Sequence, residues 1–309
     1  MTGVDESKDA ARARVMIATL QKYGYDLQDP AADTDGASLA PSSASILHLR
    51  EPKNNQTAFH IAAKKGHVDV LKALAKLPRA SDYINLGDRH ANTALHFAAS
   101  GTRDTAAEMV ELLFSMGASF SAVNIRGQTP LAIHIMTAKE DQPYVTRLFV
   151  RKGLPVNDLT NGTTYLHMAI ERGLVEIGGA LVAGGASVNM PDQNGVMVSD
   201  TVPKKTLIKL ITFMKEGTQA APLDVARNAC KICKNPRGRL ETLKDCNLCG
   251  RPVCKTDSQK AADIKPAVVD KEPPKGRLCN VCCTVVMLRT KHTKSREGFN
   301  QMLYGCSMK

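Results

Sequence analysis

Thr57-Ala58-Phe59-His60-Ile61-Ala62-Ala63 returns almost letter for letter as Thr93-Ala94-Leu95-His96-Phe97-Ala98-Ala99. Thr129-Pro130-Leu131-Ala132 and Thr164-Tyr165-Leu166-His167-Met168-Ala169 are third and fourth copies, and Val196-Met197-Val198-Ser199 is a degenerate fifth. The copies start 36, 36, 35 and 32 residues apart. A fixed period of this length marks stacked supersecondary units rather than one closed core. Each unit predicts a helical hairpin. The Thr caps a first helix, and Pro130 takes the first helical position, where a missing N–H is harmless. Paired alanines let a neighbouring helix approach closely, and Gly66, Gly101 and Gly173 end that helix. A second helix then buries a stripe: Val68, Leu71 and Leu74; Val110 and Leu113; Val145, Leu148 and Phe149; Ile177 and Leu181. Turns at Arg126-Gly127, Asn161-Gly162 and Asn194-Gly195 lead into the next copy.

The pattern resembles the ankyrin repeat over roughly residues 10 to 216. The resemblance implies a mainly α solenoid whose hairpin tips and concave face bind a protein partner. Asp88, Arg89, His90, Asn124, Arg126, Asp192 and Gln193 are the candidate tip residues. His60, His96 and His167 recur at one structural position, where the resemblance implies a hydrogen bond to neighbouring backbone rather than catalysis or metal binding. The third copy has Ala132 at that position and carries Asp141-Gln142-Pro143 between its helices. Tyr23-Gly24-Tyr25-Asp26-Leu27 and Asp35-Gly36 read as the back half of an earlier repeat. Residues 37–52 fall outside the period, and Ser42-Ser43-Ala44-Ser45 suggests a loop there. The weak fifth copy suits a capping repeat.

Charge and cysteine are both lopsided. All nine cysteines lie at or after Cys230. From Ala221 onward there are 18 Lys and Arg against 8 Asp and Glu, so nearly all of the formal +11 belongs to this end. Aromatics are 4% and Trp is absent, so the core is built from Ala, Leu, Val and Ile, which suits close helix packing. The apolar stretch around Leu174–Val188 is too short and glycine-broken to span a bilayer. The charged N-terminus lacks an apolar segment of the secretory kind. The expectation is a cytoplasmic protein, and in a reducing compartment clustered C-x-x-C pairs read as metal ligands.

Those pairs are Cys230-x-x-Cys233, Cys246-x-x-Cys249 and Cys279-x-x-Cys282, with Cys254 between them. A C-x-x-C turn supplies two ligands to a tetrahedral zinc. The segment resembles a FYVE-type zinc finger over about residues 221–289. Twelve residues separate Cys233 from Cys246, Cys249-Gly250 is followed by three residues and Cys254, and Arg277-Leu278-Cys279-Asn280-Val281-Cys282 matches the family's closing motif. Asp224 matches the Asp of the family's Trp-x-x-Asp, with Ala221 at the Trp position. The resemblance implies two zinc ions in a cross-brace, first and third pairs holding one, second and fourth the other. Asp257 stands where a Cys is expected, giving Cys230, Cys233, Cys254 and Asp257 for one ion and Cys246, Cys249, Cys279 and Cys282 for the second. Cys283 or a water is the alternative to Asp257.

Family members that bind phosphatidylinositol 3-phosphate use a basic Arg-Arg-His-His-Cys-Arg run. Here that run is Thr242-Leu243-Lys244-Asp245-Cys246-Asn247. Arg277, Lys244, Arg251, Arg237 and Arg239 remain as candidate lipid or anion contacts, and Lys231, Lys234, Lys291, Lys294 and Arg296 add to the local charge. No aromatic platform accompanies this charge, which argues against nucleic acid. Residues 256–275 read as a polar loop, and Val285-Val286-Met287-Leu288 as the start of a final helix.

The chain thus reads as a degenerate repeat and loop (1–52), ankyrin repeats (53–216), a linker (217–222), a FYVE-related finger (223–290) and a basic tail (291–309). The function expected is a non-enzymatic adaptor. Its repeats bind a protein, and its zinc module docks to an endosomal membrane, phosphoinositide-bearing or simply anionic, or to a membrane-bound protein. The alternatives are a phosphoinositide-independent protein-binding module, as in small-GTPase recognition, and a RING-like ubiquitin ligase. The last fits poorly because no His lies between Cys230 and Cys282.

Overall fold

Thr57, Thr93, Thr129 and Thr164 each stand immediately ahead of a helix, in extended backbone, in a computed structural model that describes residues 6–27, 43–100, 104–214, 228–237, 242–264 and 276–291. The chain divides into two compact units, Met1–Pro155 and Val156–Lys309. The division falls inside the repeat array, while residues 217–222, read as a linker from sequence, lie outside the described residues.

The first unit begins with α1 (Glu6–Lys22) and α2 (Ser43–His48). Three hairpins follow: α3 (Ala58–Lys65) with α4 (Val68–Ala75), α5 (Ala94–Ala99) with α6 (Ala106–Ser115), and α7 (Pro130–Thr137) with α8 (Tyr144–Arg151). The first helices α3, α5 and α7 pack side by side, and α4, α6 and α8 form a second layer. Close approach in the first layer is possible because Ala62, Ala63, Ala98, Ala99 and Ala132 present nothing beyond Cβ, and all are buried. Leu71, Leu74, Leu113 and Phe149 fill the space between layers, with Phe114 and Phe149 edge to face at 5.0 Å. Gly66 ends α3 in the left-handed conformation (φ 78°), which Gly adopts without steric cost. The loop expected at 42–45 is helical from residue 43. Ile46 and Leu47 are buried, with α2 packed on α1, and that burial outweighs the turn preference of the serines.

The second unit holds the two remaining repeats and the cysteine-rich segment. A hairpin of β1 (Leu159–Thr160) and β2 (Thr163–Thr164) turns at Asn161 (φ 51°) and Gly162 (φ 78°), the pair that a two-residue hairpin requires. It leads into α9 (Tyr165–Glu171) and α10 (Val175–Ala183), then the short α11 (Val198–Thr201) and α12 (Lys204–Thr212). The cysteine-rich segment adds β3 (Lys244–Asp245) paired with β4 (Pro252–Val253), β5 (Ser258–Lys260) paired with β6 (Arg277–Cys279), and α13 (Asn280–Lys291). Two expectations shift here. Residues 258–260 of the expected loop are a strand, in register with β6 from Ser258–Cys279 to Lys260–Arg277. The final helix begins at Asn280 rather than near Val285, so Cys282 and Cys283 belong to its first turn.

Candidate metal centres

The repeated histidines are structural. His60 Nδ1 lies 3.1 Å from the Thr57 N–H and 2.7 Å from its hydroxyl, while Nε2 reaches the Asn92 carbonyl in the next repeat at 2.8 Å. His96 does the same between Thr93 and the Gln128 carbonyl, and His167 between Thr164 and the Val196 carbonyl. The backbone N–H fixes Nδ1 as an acceptor in His60 and His96, so Nε2 carries the proton and donates to the carbonyl. Burial pushes the His60 pKa down to about 4, which keeps that ring neutral at ordinary pH.

Among the tip residues, Arg89, His90, Arg126 and Gln193 are exposed. Asp88 and Asn124 are not: both are buried and accept hydrogen bonds from backbone N–H groups of their own turns, from His90 and Asn92 and from Arg126 and Gln128. Asp192 likewise accepts from the N–H groups of Asn194 and Val196. All three hold their turns, Asp88 and Asn124 from buried positions and Asp192 from a partly exposed one.

Local backbone geometry builds the two cysteine clusters. In the first C-x-x-C turn the Lys234 N–H bonds the Cys230 carbonyl at 2.9 Å, with Lys234 left-handed (φ 61°). In the second, the Gly250 N–H bonds the Cys246 carbonyl at 2.8 Å, with Gly250 in the same conformation (φ 75°). Both turns therefore aim two sulfurs at one point. The pairing of β5 with β6 then carries Cys279 against the second turn, and the first turn of α13 supplies Cys282.

The outcome is interleaved. Cys246, Cys249, Cys279 and Cys282 gather with all ligand atoms within 4.8 Å of one another, and so do Cys230, Cys233, Cys254 and Asp257. The Asp257 carboxylate lies 3.2 Å from Cys230 Sγ and 3.1 Å from Cys254 Sγ. Cys283, the alternative ligand, points its thiol at the Leu278 carbonyl instead. Each group offers four donors at tetrahedral spacing, the arrangement that a divalent metal of the zinc class takes.

The charge balance also fits a metal. Arg251 is 3% exposed, yet its Nε lies 3.3 Å from Cys249 Sγ and its Nη2 3.6 Å from Cys279 Sγ. Burial opposes its charge, but the negative sulfurs outweigh burial and raise its pKa. Hydrogen bonds among the four thiols hold Cys249 well below its ordinary pKa and push Cys279 and Cys282 above theirs, so that Cys249 carries the negative charge most readily. A buried guanidinium facing sulfur is the counter-charge that four thiolates on a dication require, since that assembly keeps a net negative charge. Backbone N–H groups complete the shell, with Cys279 N to Cys246 Sγ at 3.2 Å and Ile232 N to Cys230 Sγ at 3.4 Å. Neither group leaves a position for an activated water, so a metal held here cross-links the chain.

The anion contacts fare differently. Arg251, read from sequence as a candidate anion contact, is buried and directs its guanidinium at the sulfurs of Cys249 and Cys279. Arg277 gives its Nε to Ser258 Oγ (2.9 Å) and its Nη2 to the Ser258 and Lys255 carbonyls, pinning the β5–β6 hairpin. Lys231 and Lys234 reach Asp200 of the last repeat. Lys244 and Arg237 are exposed, and Arg239 lies outside the described residues, as do Asp224, Lys294, Arg296 and Cys306.

Sequence reasoning missed Asn189 and Asp200. Asn189 is 1% exposed, and its Nδ2 donates to the carbonyl of Cys249. Asp200 receives the two lysines of the first turn. A signal for Asn189 was present: the apolar-Asn step Val188-Asn189 repeats Ile84-Asn85 and Val156-Asn157.

With fold and clusters described, the class of the repeat region is defined: it is built of ankyrin repeats. Residues 37–124 match ankyrin repeats in three copies and residues 161–193 match a further ankyrin repeat. The matched segments end before the first cysteine, so the metal module rests on its own geometry. Among individual proteins, the chain is 28% identical over 175 residues to the nuclear factor NF-kappa-B p105 subunit of Gallus gallus, covering 55% of this chain and 17% of that one. It is 27% identical over 172 residues to Rabankyrin-5 of Homo sapiens (54% and 14%). It is 32% identical over 88 residues to NF-kappa-B inhibitor zeta of Bos taurus (28% and 12%). The chain spans less than a fifth of the length of these relatives.

Proposed function

We propose that this protein is a non-enzymatic adaptor: its ankyrin surface holds a protein partner, and its C-terminal segment is a FYVE-related module carrying two zinc ions that docks to a membrane-bound protein on endosomes. Relatives that include an inhibitor named for its protein target support the first half. The donor chemistry supports zinc, because all-sulfur and sulfur-carboxylate sets are sites that zinc occupies readily and magnesium or calcium do not. No helix among the described residues is long and apolar enough to cross a membrane.

The observation that carries the choice of protein over phosphoinositide is the engagement of Arg251 and Arg277 within the module. With Asp245 beside Lys244 on β3, little is left to grip a headgroup phosphate. Liposome flotation of the zinc-loaded full chain tests this. Vesicles with phosphatidylinositol 3-phosphate should float no more protein than vesicles of equal charge made with phosphatidylserine. Headgroup-selective flotation abolished by Lys244→Ala would reverse the choice.

A further inference from the structure

Asn85 and Asn157 occupy the same place in their repeats, and each ties its repeat to the next. Asn85 Nδ2 donates to the Gly117 carbonyl at 3.0 Å, and Asn157 Nδ2 to the Gly185 carbonyl at 3.0 Å. Both acceptors are the glycine that turns the chain after a second-layer helix, with φ 87° and 102°. Asn189 stands next in this series, and its Nδ2 donates to Cys249, the residue ahead of the left-handed Gly250 in the second metal-binding turn. The metal turn therefore receives the bond that the next repeat's glycine turn would receive.

The helices agree with this. Second-layer helices stack repeat on repeat, α10 on α12, and α12 then packs on α13 of the metal module. A terminal capping helix keeps a polar outer face. Helix α12 instead packs against helices on both sides, α10 and α13, with Leu207, Ile208, Leu210 and Ile211 buried. The fifth copy, read from sequence as the cap, is instead an internal layer.

We propose that the metal module is the C-terminal cap of the ankyrin array, with the second turn in place of a glycine turn and α13 in place of a second-layer helix. This rests on the metal reading of the clusters. Metal in the Cys246, Cys249, Cys279 and Cys282 group would fix the surface on which the last repeats stack, making their stability metal-dependent. The mimicry is partial. In the ordinary repeats the Asn Oδ1 also accepts a bond from two residues past the glycine, from the N–H of Ser119 or Ser187. Asn189 Oδ1 is buried without a hydrogen-bond partner, so the side chain makes one junction bond where the ordinary repeats make two.

Hydrogen exchange on the full chain, with metal content measured on the same samples, tests the proposal. A zinc chelator that strips the metal should raise amide exchange in residues 165–212 by on the order of a hundredfold or more. Residues 58–115 of the first unit should serve as an unchanged reference. Exchange that rises in 246–283 alone would show an appended module and overturn the cap. Chains purified without metal, equally protected throughout, would overturn the metal reading and the cap with it. Asn189→Ala is the second arm: it should keep both metal equivalents yet speed exchange in 204–212 roughly tenfold, and unchanged exchange there would count against the junction.

Discussion

The two clusters solve one electrostatic problem in opposite ways. A dication with four monoanionic ligands carries a net charge of about −2, whether the ligands are four thiolates or three thiolates and a carboxylate. In the Cys246, Cys249, Cys279 and Cys282 cluster all four ligands are buried, and Arg251 offsets about half of the charge internally. In the Cys230, Cys233, Cys254 and Asp257 cluster, Cys233 is exposed and Asp257 half-buried, and water can screen the charge. The comparison teaches that ligand number does not set a site's structural weight. Burial does, because a buried site takes its surroundings down with it when it fails.

Losing the buried metal should therefore have the largest effect. Cys246→Ser should leave one metal equivalent and unfold the second unit, since structural zinc of this type contributes on the order of 10 kcal/mol at neutral pH. Metal analysis and thermal unfolding followed by circular dichroism would read both. A variant that stays folded with one ion would make the clusters equivalent and end the contrast. Arg251→Met comes next. It removes the counter-charge while keeping every ligand, so metal content should hold and stability should fall by about 3–5 kcal/mol in urea unfolding. Arg251→Lys should recover part of this, because a lysine restores the charge but not the paired N–H geometry aimed at Cys249 and Cys279. A neutral result for Arg251→Met would mean the cluster charge is balanced elsewhere.

Much of this was legible before any coordinates. The Thr, the His and the paired alanines each had a local reason, and their recurrence, in four, three and two copies, turned weak reasons into a strong one. Cysteine spacing gave the three C-x-x-C pairs, because such a turn is closed by its own backbone, and the FYVE resemblance implied how they interleave. The failures share a cause. Arg251 looked like a surface cation because sequence shows charge but not the burial that redirects it. Asp88 and Asn124 looked like exposed tips because the backbone N–H groups that their side chains accept from lie within the same turn. The repeated apolar-Asn step marks Asn189 as a junction residue but not its partner, because Cys249 and Lys234 lie 60 and 34 residues from Asn189 and Asp200, outside the repeat period.

The smallest effect should come from Asp257. Hydrogen bonds from Cys233 and Cys254 hold its carboxyl below the usual carboxylate range, so it is ionised and ready to ligate without losing a proton. Its backbone carbonyl accepts from the Asn280 N–H at 3.0 Å, a bond that substitution of the side chain leaves in place. Asp257→Asn should reduce the metal count from two to one under dialysis against a competing chelator. The Lys231 and Lys234 contacts with Asp200 do not involve the side chain and should persist, so thermal unfolding of the second unit should move less than for Arg251→Met. Asp257→Cys should restore the second equivalent with a fourth sulfur. Loss of stability in Asp257→Asn equal to that of Cys246→Ser would show that the exposed cluster, despite its solvent-facing ligands, bears as much of the structure as the buried one.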